Sequence, residues 1–315
     1  MQGSRPHDRL PAGPVAWIDG RFVPAAEATI PVGDAGFVLG TTVTEQLRTF
    51  RGRLFRPGDH AERFLRSIDL VGTAPLPPID EILAAADSVA ARSYAALAAP
   101  TGGDLGVILF ATPGDLPAQH GGRPGQPRVV VHAFPLAFRS WAAAYEAGVS
   151  LRTVGVEQVP AGCWPLELKC RSRMHYHLAD REARAAEPGA RALLCHADGR
   201  VSETSTANVA ILRRGEILTP PPGEALSGIS LAHTRELAET EGIPWRETTL
   251  RAHDLAAAEE IFLTSTPNCI LPVARFDGRP VGDGRPGPVF RRLLDAWSRS
   301  TGVDIAAQAL LSAAG

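Results

Sequence analysis

Lysine is nearly absent from this chain of 315 residues. Lysines and arginines together number 32, and Lys169 is the only lysine among them. Because arginine supplies surface charge as well as lysine does, a chain can exchange one for the other over most of its surface. The exchange fails where the chemistry needs an amine that can lose its proton and attack a carbonyl carbon. From composition alone, Lys169 is either a surviving surface residue or a functional amine.

A strong net charge, long apolar runs and paired cysteines are missing as well. The formal net charge of -2 offers no basic field for nucleic acid or an anionic membrane. No apolar run approaches the roughly 20 residues of a membrane span, and residues 1–14 lack the apolar core of a signal peptide. The four cysteines form no Cys-x-x-Cys pair. We therefore expect reduced thiols in the cytoplasm and no metal site.

The length of the chain suggests about two domains. We expect a small N-terminal domain over 1–134, in which 1–14 is a loose tail, then a linker over 135–139 and a larger domain over 140–315. Predicted strands and helices mix without a strict strand–helix–strand rhythm. This mixture favours an α+β fold over a doubly wound parallel sheet.

Turn signals and hydrophobic periodicity locate the main elements. Asp19-Gly20 predicts the turn of a hairpin between 15 and 23. The predicted helices cover 59–71 with Asp59 as N-cap, 79–97, a segment from just after Lys169 to about 186, about 226–240, and a terminal helix over 288–298. The predicted strands cover 42–50, 53–55, 105–111, 128–134, 149–156, 192–196, 201–204, 208–212, 247–250, 261–264 and 270–276.

Some residues of the second half would suit a phosphorylated aldehyde cofactor. If the aldehyde forms a Schiff base with Lys169, its phosphate needs donors. Gly228-Ile229-Ser230 at the beginning of a helix and Ser265-Thr266 after a strand offer backbone N–H groups and hydroxyls, and an arginine would add a bidentate contact. A pyridine nitrogen needs a carboxylate to stay protonated, and Glu203 is the candidate. Each of these residues could instead have only a structural role, as a helix cap, an exposed strand acid or a turn residue.

Further short motifs follow one another along the chain. They are Asp34-Ala-Gly-Phe-Val-Leu-Gly40 with Glu45, His60-Ala-Glu-Arg63, Leu168-Lys169, Asp198-Gly-Arg-Val-Ser-Glu203 with Asn208, Thr219-Pro220-Pro221, Leu226-Ser-Gly-Ile-Ser230, and Glu260-Ile-Phe-Leu-Thr-Ser-Thr266 with Pro272-Val273. In this order and spacing they resemble the fold-type IV, or class IV, pyridoxal-phosphate enzymes. That group contains branched-chain aminotransferase, D-amino-acid aminotransferase and aminodeoxychorismate lyase. The resemblance runs from about Trp17 to Pro288.

The resemblance implies a transaminase that moves an amino group from an amino acid or amine to a 2-keto acid, with pyridoxal 5'-phosphate as cofactor. Lys169 would be the catalytic residue, holding the cofactor as an internal aldimine and shuttling the substrate's proton. The family fold has a small and a larger domain with the cofactor in the cleft between them, usually in a homodimer. The implied cofactor-binding residues are Arg63, Lys169, Glu203, Leu226, Gly228, Ile229, Ser230, Ser265 and Thr266. The candidates for the substrate pocket are Phe37, Thr44, Arg171 and Arg173, with the two arginines as clamps for a carboxylate.

The match departs from the branched-chain enzymes beside the lysine. Those enzymes carry a tyrosine five residues after it, bonded to the phenolic oxygen of the cofactor, where this chain has Met174. The polar candidates nearby are Arg171, Ser172, Arg173 and Tyr176, and Lys-x-x-Ser-Arg is closer in spacing to the lyase and D-amino-acid branches. The donor and its handedness therefore stay open. Two other functions stay open too: a lyase that releases pyruvate from aminodeoxychorismate, and a non-catalytic binding protein on this scaffold.

Overall fold

The computed structural model describes residues 13–314, which form two compact units. The first unit ends at Leu136 and also contains Lys169–Ser172, whereas the second consists of Ala137–Leu168 and the chain from Arg173 onward. Residues 1–12 of the predicted tail lie outside the described part. No helix within 13–314 is long and apolar enough to span a bilayer.

Over residues 13–136, the first unit is built on a six-stranded antiparallel sheet with the order β2-β1-β6-β5-β3-β4. Its elements are β1 (Val15–Ile18), β2 (Arg21–Pro24), α1 (Ala35–Val38), β3 (Val43–Phe50), β4 (Arg53–Leu54), α2 (Pro57–Val71), α3 (Ile79–Leu97), β5 (Leu105–Thr112) and β6 (Arg128–Pro135), with short 3-10 turns at Ala25–Glu27, Ala99–Thr101 and Pro117–Gln119. Helix α3 packs on β1, β5 and β6, and α2 packs on β3. Apolar strand residues such as Leu47, Val107 and Val131 are buried in this unit.

The predicted hairpin is confirmed, and its turn follows from residue type. Asp19 and Gly20 both have positive φ, 48° and 82°, which are the values that a two-residue hairpin turn requires. Aspartate and glycine tolerate this backbone better than other residues do. The turn brings Trp17 opposite Phe22 in the ladder between β1 and β2.

Asp59 is not the N-cap of α2, and this prediction was wrong. The helix begins at Pro57, whose fixed φ suits a first helical position, and Asp59 lies in the first turn. There it pairs with Arg56, with 2.5 Å between its Oδ2 and the arginine Nε. Among the apolar residues of this helix, Phe64 is buried, whereas Leu65 is exposed to solvent.

Lys169–Ser172 belong to the first unit because their backbone pairs with the beginning of β3. The amide of Thr44 donates to the carbonyl oxygen of Lys169 at 3.0 Å, and the amide of Arg171 donates to the carbonyl oxygen of Thr42 at 2.9 Å. Val43 and Cys170 form the bridge between these two bonds. The predicted domain boundaries place 140–315 in one domain and therefore do not assign Lys169–Ser172 to the first unit.

Within the described residues, the second unit is built on a nine-stranded sheet. Its elements are α4 (Ala144–Ala147), β7 (Val149–Thr153), α5 (Met174–Ala186), β8 (Arg191–Cys195), β9 (Val201–Thr204), β10 (Asn208–Arg213), β11 (Glu216–Thr219), α6 (Ile229–Thr240), β12 (Trp245–Glu247), α7 (Ala252–Ala256), β13 (Glu260–Ser265), β14 (Cys269–Phe276), β15 (Arg279–Pro280), α8 (Pro288–Thr301) and α9 (Ile305–Ala314), with a 3-10 turn at Phe138–Ser140. Strand β9 pairs with both β8 and β10, so the ladder β10-β13-β14-β7-β8-β9 closes on itself. A closed ladder leaves fewer open strand edges.

The strand register of this unit places three polar residues in one row. Asn208 of β10 lies opposite Glu203 of β9 on one side and opposite Thr264 of β13 on the other. Directly opposed residues of antiparallel strands project to the same face of a sheet. The side chains of Glu203, Asn208 and Thr264 therefore share a face.

The α+β prediction is confirmed, and several element boundaries are corrected. Strand β7 ends at Thr153 rather than at 156, and β12 begins and ends earlier than the predicted 247–250. Strand β11 was not predicted at all. The helix α8 is not terminal, because α9 follows it after Gly302. The sequence of α9 is apolar almost all round, so it lacks the periodicity by which an amphipathic helix is found.

Candidate active site

The backbone of Lys169 is anchored in the first unit from two directions. Its amide nitrogen lies 3.2 Å from the hydroxyl of Ser67 on α2, and its carbonyl oxygen accepts from Thr44 on β3. Lys169 is half-buried. It was predicted just before a helix, whereas α5 begins only at Met174. The single lysine of the chain is thus carried on a short strand-like segment with a fixed backbone.

A buried carboxylate in the same unit orients Arg63. Glu45 of β3 is fully buried and accepts hydrogen bonds from Arg63 Nε at 2.7 Å and Arg63 Nη2 at 2.8 Å. His60 Nδ1 lies 2.8 Å from the second oxygen of Glu45. Burial alone would raise the pKa of Glu45, but the charge and hydrogen bonds of Arg63 and the bond from His60 outweigh it and lower the pKa to about 2. Glu45 is therefore ionised at neutral pH.

His60 is a neutral donor in this cluster. Burial lowers its pKa, Glu45 opposes the shift, and the positive charges of Arg63 and Lys169 add to it. A neutral imidazole beside an ionised carboxylate must carry its hydrogen on Nδ1, so His60 donates to Glu45. His60, Arg63 and Ser67 lie at i, i+3 and i+7, which is one face of α2.

The predicted substrate residues of the first unit occupy different environments. Thr44 is buried, and its hydroxyl donates to the carbonyl oxygen of Leu109 at 3.4 Å. Arg171 is exposed on the segment that pairs with β3. Phe37 on α1 is 74% exposed, which is unusual for a large aromatic side chain.

In the second unit, Glu203 is a buried carboxylate that accepts hydrogen bonds from a phenol and two amides. The hydroxyl of Tyr176 donates to its Oε1 at 2.7 Å, and Gln158 Nε2 lies 3.4 Å from the same oxygen. Asn208 Nδ2 lies 3.5 Å from Oε2. Burial and the negative charge of Glu203 raise the pKa of Tyr176 far above its ordinary value, so the phenol remains a donor. These bonds fix the plane of the carboxylate.

The N-terminus of α6 begins in a tightly packed turn. Gly228 is its N-cap and, as a glycine, has no side chain that could accept from the first amides. Asn208 Nδ2 donates to the carbonyl oxygen of Leu226 at 2.8 Å, and a Cβ atom on Gly228 would come within 1.8 Å of Asn208 Oδ1. Only glycine fits there. The first residues of the helix, Ile229 and Ser230, are buried, so their amides can serve an anion in a desolvated environment.

The end of β13 supplies hydroxyl groups. Ser265 is buried and donates to Asn268 Oδ1 at 3.0 Å, and Thr266 follows it half-buried in the turn. The hydroxyl of Thr264 is buried and has no hydrogen-bond partner within the described part of the chain. Because a buried unpaired hydroxyl is costly, its place beside Asn208 and Glu203 fits a face that receives a polar ligand.

Arg173 lies at the beginning of α5 and contacts Ser205 and Tyr176 of the same unit. Its Nη2 donates to the carbonyl oxygen of Ser205, and its guanidinium carbon lies 4.6 Å from the ring centre of Tyr176. Arg171 and Arg173, two residues apart in the sequence, therefore belong to different units.

Residues 13–314 contain no cluster of three or more His, Cys, Asp or Glu side chains that could hold a metal ion. Within the same range, the four cysteines, Cys163, Cys170, Cys195 and Cys269, form no disulfide.

The sequence interpretation missed the groups that support these residues. The spacing of His60, Arg63 and Ser67 could have indicated that all three lie on one face of the helix. Tyr176 was considered only as a polar neighbour of the lysine. Gln158 lies in a loop without periodicity, and no sequence signal links it to Glu203.

Comparison with known proteins agrees with this arrangement. Residues 42–276 match the model of the amino-transferase class IV family. The D-alanine aminotransferase of Staphylococcus haemolyticus is 29% identical over 286 residues, which cover 90% of this chain and 96% of that protein. The crystal structure of Escherichia coli branched-chain amino acid aminotransferase superposes with a TM-score of 0.82 and 26% identity, over 90% of this chain and 93% of that one.

A second structural neighbour was solved with the aminated form of a cofactor. It is the T.th. branched-chain amino acid aminotransferase with pyridoxamine 5'-phosphate, with a TM-score of 0.80, 26% identity and coverage of 93% and 96% of the two chains. The family uses pyridoxal phosphate, and its members share the fold-type IV architecture. The chain belongs to this family: it is a class IV aminotransferase.

Proposed function

We propose that this enzyme binds pyridoxal 5'-phosphate through Lys169 and transfers the amino group of an α-amino acid to a 2-keto acid. The observation that carries the proposal is the anchored Lys169, the single lysine of a chain that otherwise uses arginine. A lysine amine can add to an aldehyde and exchange a proton, and an arginine cannot replace it in either role.

The residues present suit the parts of this cofactor. Glu203 would pair with the pyridine nitrogen, and the amides of Gly228, Ile229 and Ser230 would bind the phosphate together with Ser265 and Thr266. The buried first residues of α6 and the hydroxyl of Thr264, which has no partner among the described residues, support this assignment. Arg63, whose orientation Glu45 and His60 fix, would bind the phosphate as well. Leu226 would pack against the ring.

When bound, pyridoxal phosphate supplies an aldehyde carbon for the amino group and a protonated ring that accepts electron density. The chain supplies the rest. Nζ of Lys169, in its neutral form, accepts the proton from the substrate Cα and later returns it. Glu203 holds the proton on the ring nitrogen by its negative charge. Its fixed plane means that no reorganisation is needed during the reaction.

The substrate carboxylate would bind Arg171, which is exposed two residues after Lys169. Thr44 and Phe37 would line the side-chain pocket. D-alanine and a branched-chain L-amino acid are the first donors to compare, because the relatives and structural neighbours are named for them.

We also propose a homodimer in the cytoplasm. The segment around α1 exposes large apolar side chains: Val32 is 82% exposed, Phe37 74% and Leu39 58%. Apolar side chains clustered in this way are typical of a surface that a second chain covers. Sedimentation of the wild type and of a Phe37→Ser, Leu39→Ser variant tests this, because a weakened dimer is expected only for the variant.

The test of the proposed function is a donor screen read on the visible absorbance of the bound cofactor. D-alanine, L-leucine, simple amines and aminodeoxychorismate are added one at a time to wild type, Lys169→Ala and Lys169→Arg. Bleaching by an amino acid and its reversal by a 2-keto acid are expected for the wild type alone. The rate should fall by at least about 10⁴-fold in both variants, because each lacks the nucleophile and base, although the arginine variant keeps the positive charge.

Two results would contradict the proposal. Turnover at the wild-type rate in Lys169→Ala would remove the lysine from the mechanism. Bleaching that no keto acid reverses, with release of pyruvate from aminodeoxychorismate, would show the lyase instead. Equal unfolding temperatures for wild type and variants would confirm that the losses are chemical.

A further inference from the structure

Tyr176 uses its only hydrogen on Glu203. The hydroxyl oxygen lies 2.7 Å from Glu203 Oε1, which is the short distance typical of a hydroxyl donating to a charged oxygen. Gln158 Nε2 lies 3.3 Å from the same hydroxyl oxygen. An amide nitrogen can only donate, so the phenol accepts from Gln158 and donates to Glu203.

The direction of the Gln158 amide is itself fixed. Its Oε1 accepts from the amide of Val159 at 2.9 Å, which leaves Nε2 to face Tyr176, Glu203 and, at 3.0 Å, the hydroxyl of Ser202. The backbone amide of Gln158 donates to the carbonyl oxygen of Cys195 at 2.9 Å, which ties the loop to the end of β8. Gln158 is only 2% exposed, so water does not compete for these bonds.

The ring of Tyr176 is held as well as its hydroxyl. The guanidinium of Arg173 lies over the ring, and the carbonyl oxygen of Ser205 holds that guanidinium in place. The phenol therefore cannot swing away from Glu203 without the loss of several contacts at once.

We propose that Tyr176 is a positioning residue that keeps Glu203 oriented for the ring nitrogen of the cofactor, and that Gln158 directs its hydroxyl hydrogen to that carboxylate. The inference rests on the proposed pairing of Glu203 with the ring nitrogen. The proposed role of Tyr176 also differs from that of the tyrosine in the branched-chain enzymes. A tyrosine shortly after the lysine could serve the phenolic oxygen of the cofactor, but this one serves the acid.

The chemical consequence concerns where the ring proton resides. A carboxylate that accepts a phenol hydrogen is less basic than one that does not, because the bond stabilises its ionised form. Removal of the phenol makes Oε1 of Glu203 more basic, so the carboxylate competes better for the proton of the ring nitrogen. A ring that loses its proton is a poorer acceptor of electron density.

The experiment is a double-mutant cycle of Tyr176→Phe and Glu203→Gln in the full chain reconstituted with pyridoxal phosphate labelled with ¹⁵N in the ring. Tyr176→Phe should slow the amino-acid half-reaction by about 10- to 100-fold, the equivalent of one charge-assisted hydrogen bond, with KM changed by less than about twofold. Its ¹⁵N resonance should move toward that of the unprotonated ring. In the Glu203→Gln background, Tyr176→Phe should change the rate by less than about twofold, because the residue acts through Glu203.

Two variants complete the design. Gln158→Met keeps the volume of the side chain but removes the amide, and it should shift the rate and the resonance in the same direction by a smaller amount. It also keeps the question testable if Tyr176→Phe folds poorly. Tyr94→Phe removes a phenol from the first unit, outside the residues assigned to the cofactor, and should match the wild type.

The outcomes separate the two proposals. If Glu203→Gln leaves both rate and resonance at wild-type values, the pairing of Glu203 with the ring nitrogen is wrong. If Glu203→Gln is impaired but Tyr176→Phe leaves the resonance unchanged, or costs the same in both backgrounds, only the role of Tyr176 is overturned.

Discussion

Glu45 and Glu203 are both buried carboxylates, one in each unit, and they differ in the partners that hold them. Glu45 binds the permanent positive charge of Arg63 through two hydrogen bonds and accepts a third from His60. The hydrogen bonds to Glu203 described above come from a phenol and two amides, which are neutral. The first set includes a permanent positive charge, whereas the second supplies dipoles that orient the carboxylate.

Because their partners differ, we expect Glu45 and Glu203 to have different roles. A buried carboxylate paired with an arginine holds that arginine in one orientation, and loss of either partner leaves the other as an uncompensated buried charge. A buried carboxylate held by neutral dipoles keeps its electrostatic effect on any positive group that it meets. We therefore expect substitutions of Glu45 to act mainly on stability, and substitutions of Glu203 to act mainly on rate.

Glu45→Gln is expected to have the larger effect on stability. The substitution leaves the buried charge of Arg63 without its carboxylate, so the free energy of unfolding should fall by about 3–5 kcal/mol. Urea denaturation at pH 7 measures it. Glu203→Gln is the matched control, since it makes the same change in a setting of neutral donors and should cost less than about 1 kcal/mol. Equal losses in the two variants would remove the distinction between the carboxylates.

Glu203→Gln is expected to have the larger effect on turnover. Loss of the charge beside the ring nitrogen should lower kcat by about 10²- to 10³-fold, in the range seen when one preorganised electrostatic group is removed. Steady-state rates with saturating donor and acceptor, at equal cofactor occupancy, measure this. A kcat within about threefold of wild type would show that the charge of Glu203 has no part in the chemistry.

His60→Gln should change the pH dependence of stability. The buried imidazole resists protonation when the chain is folded, while the unfolded chain takes up the proton below about pH 6.5. The wild type should therefore lose up to about 1.4 kcal/mol per pH unit as the pH falls below 6.5. His60→Gln can still donate to Glu45 but cannot take a proton, so its free energy of unfolding should be flatter between pH 7 and pH 5.

His253→Gln is the control for this comparison, because His253 is largely exposed and should leave the wild-type slope intact. The measurement stays above pH 5, since the lowered pKa of Glu45 adds its own loss of stability between about pH 4.5 and pH 2. A slope in His60→Gln as steep as that of the wild type would show that another group causes the pH dependence.

The sequence predicted those features that local residue patterns encode. Asp19-Gly20 specified its hairpin by backbone preference, and the apolar periodicity of α3 gave its bounds, Ile79–Leu97, without error. Strand β11 was not predicted, although the preceding Arg214 and Gly215 both have positive φ and form a hairpin turn like that at Asp19. The signal there was weaker because arginine is an uncommon residue at such a position.

In the candidate site, too, local patterns were found from the sequence and long-range contacts were not. Lys169, Glu203 and Arg63 stood out because of residue type and motif, but their supports depend on contacts that sequence spacing does not reveal. Tyr176 and Glu203 are 27 residues apart, and Glu45 and Arg63 are 18 apart. Lys169–Ser172 belong to the first unit because of a few backbone hydrogen bonds to β3. Such backbone bonds leave no pattern in the side chains from which they could be predicted.

The most direct measurement is the site at which borohydride fixes the cofactor to the protein. Because the chain contains one lysine, reduction of the pyridoxal-phosphate complex should add one cofactor per chain, and peptide mapping should place it on Lys169. Lys169→Arg should acquire none under the same conditions. Attachment at the chain's terminal amine, or no attachment to a protein that shows the visible absorbance of the cofactor, would contradict the role of Lys169.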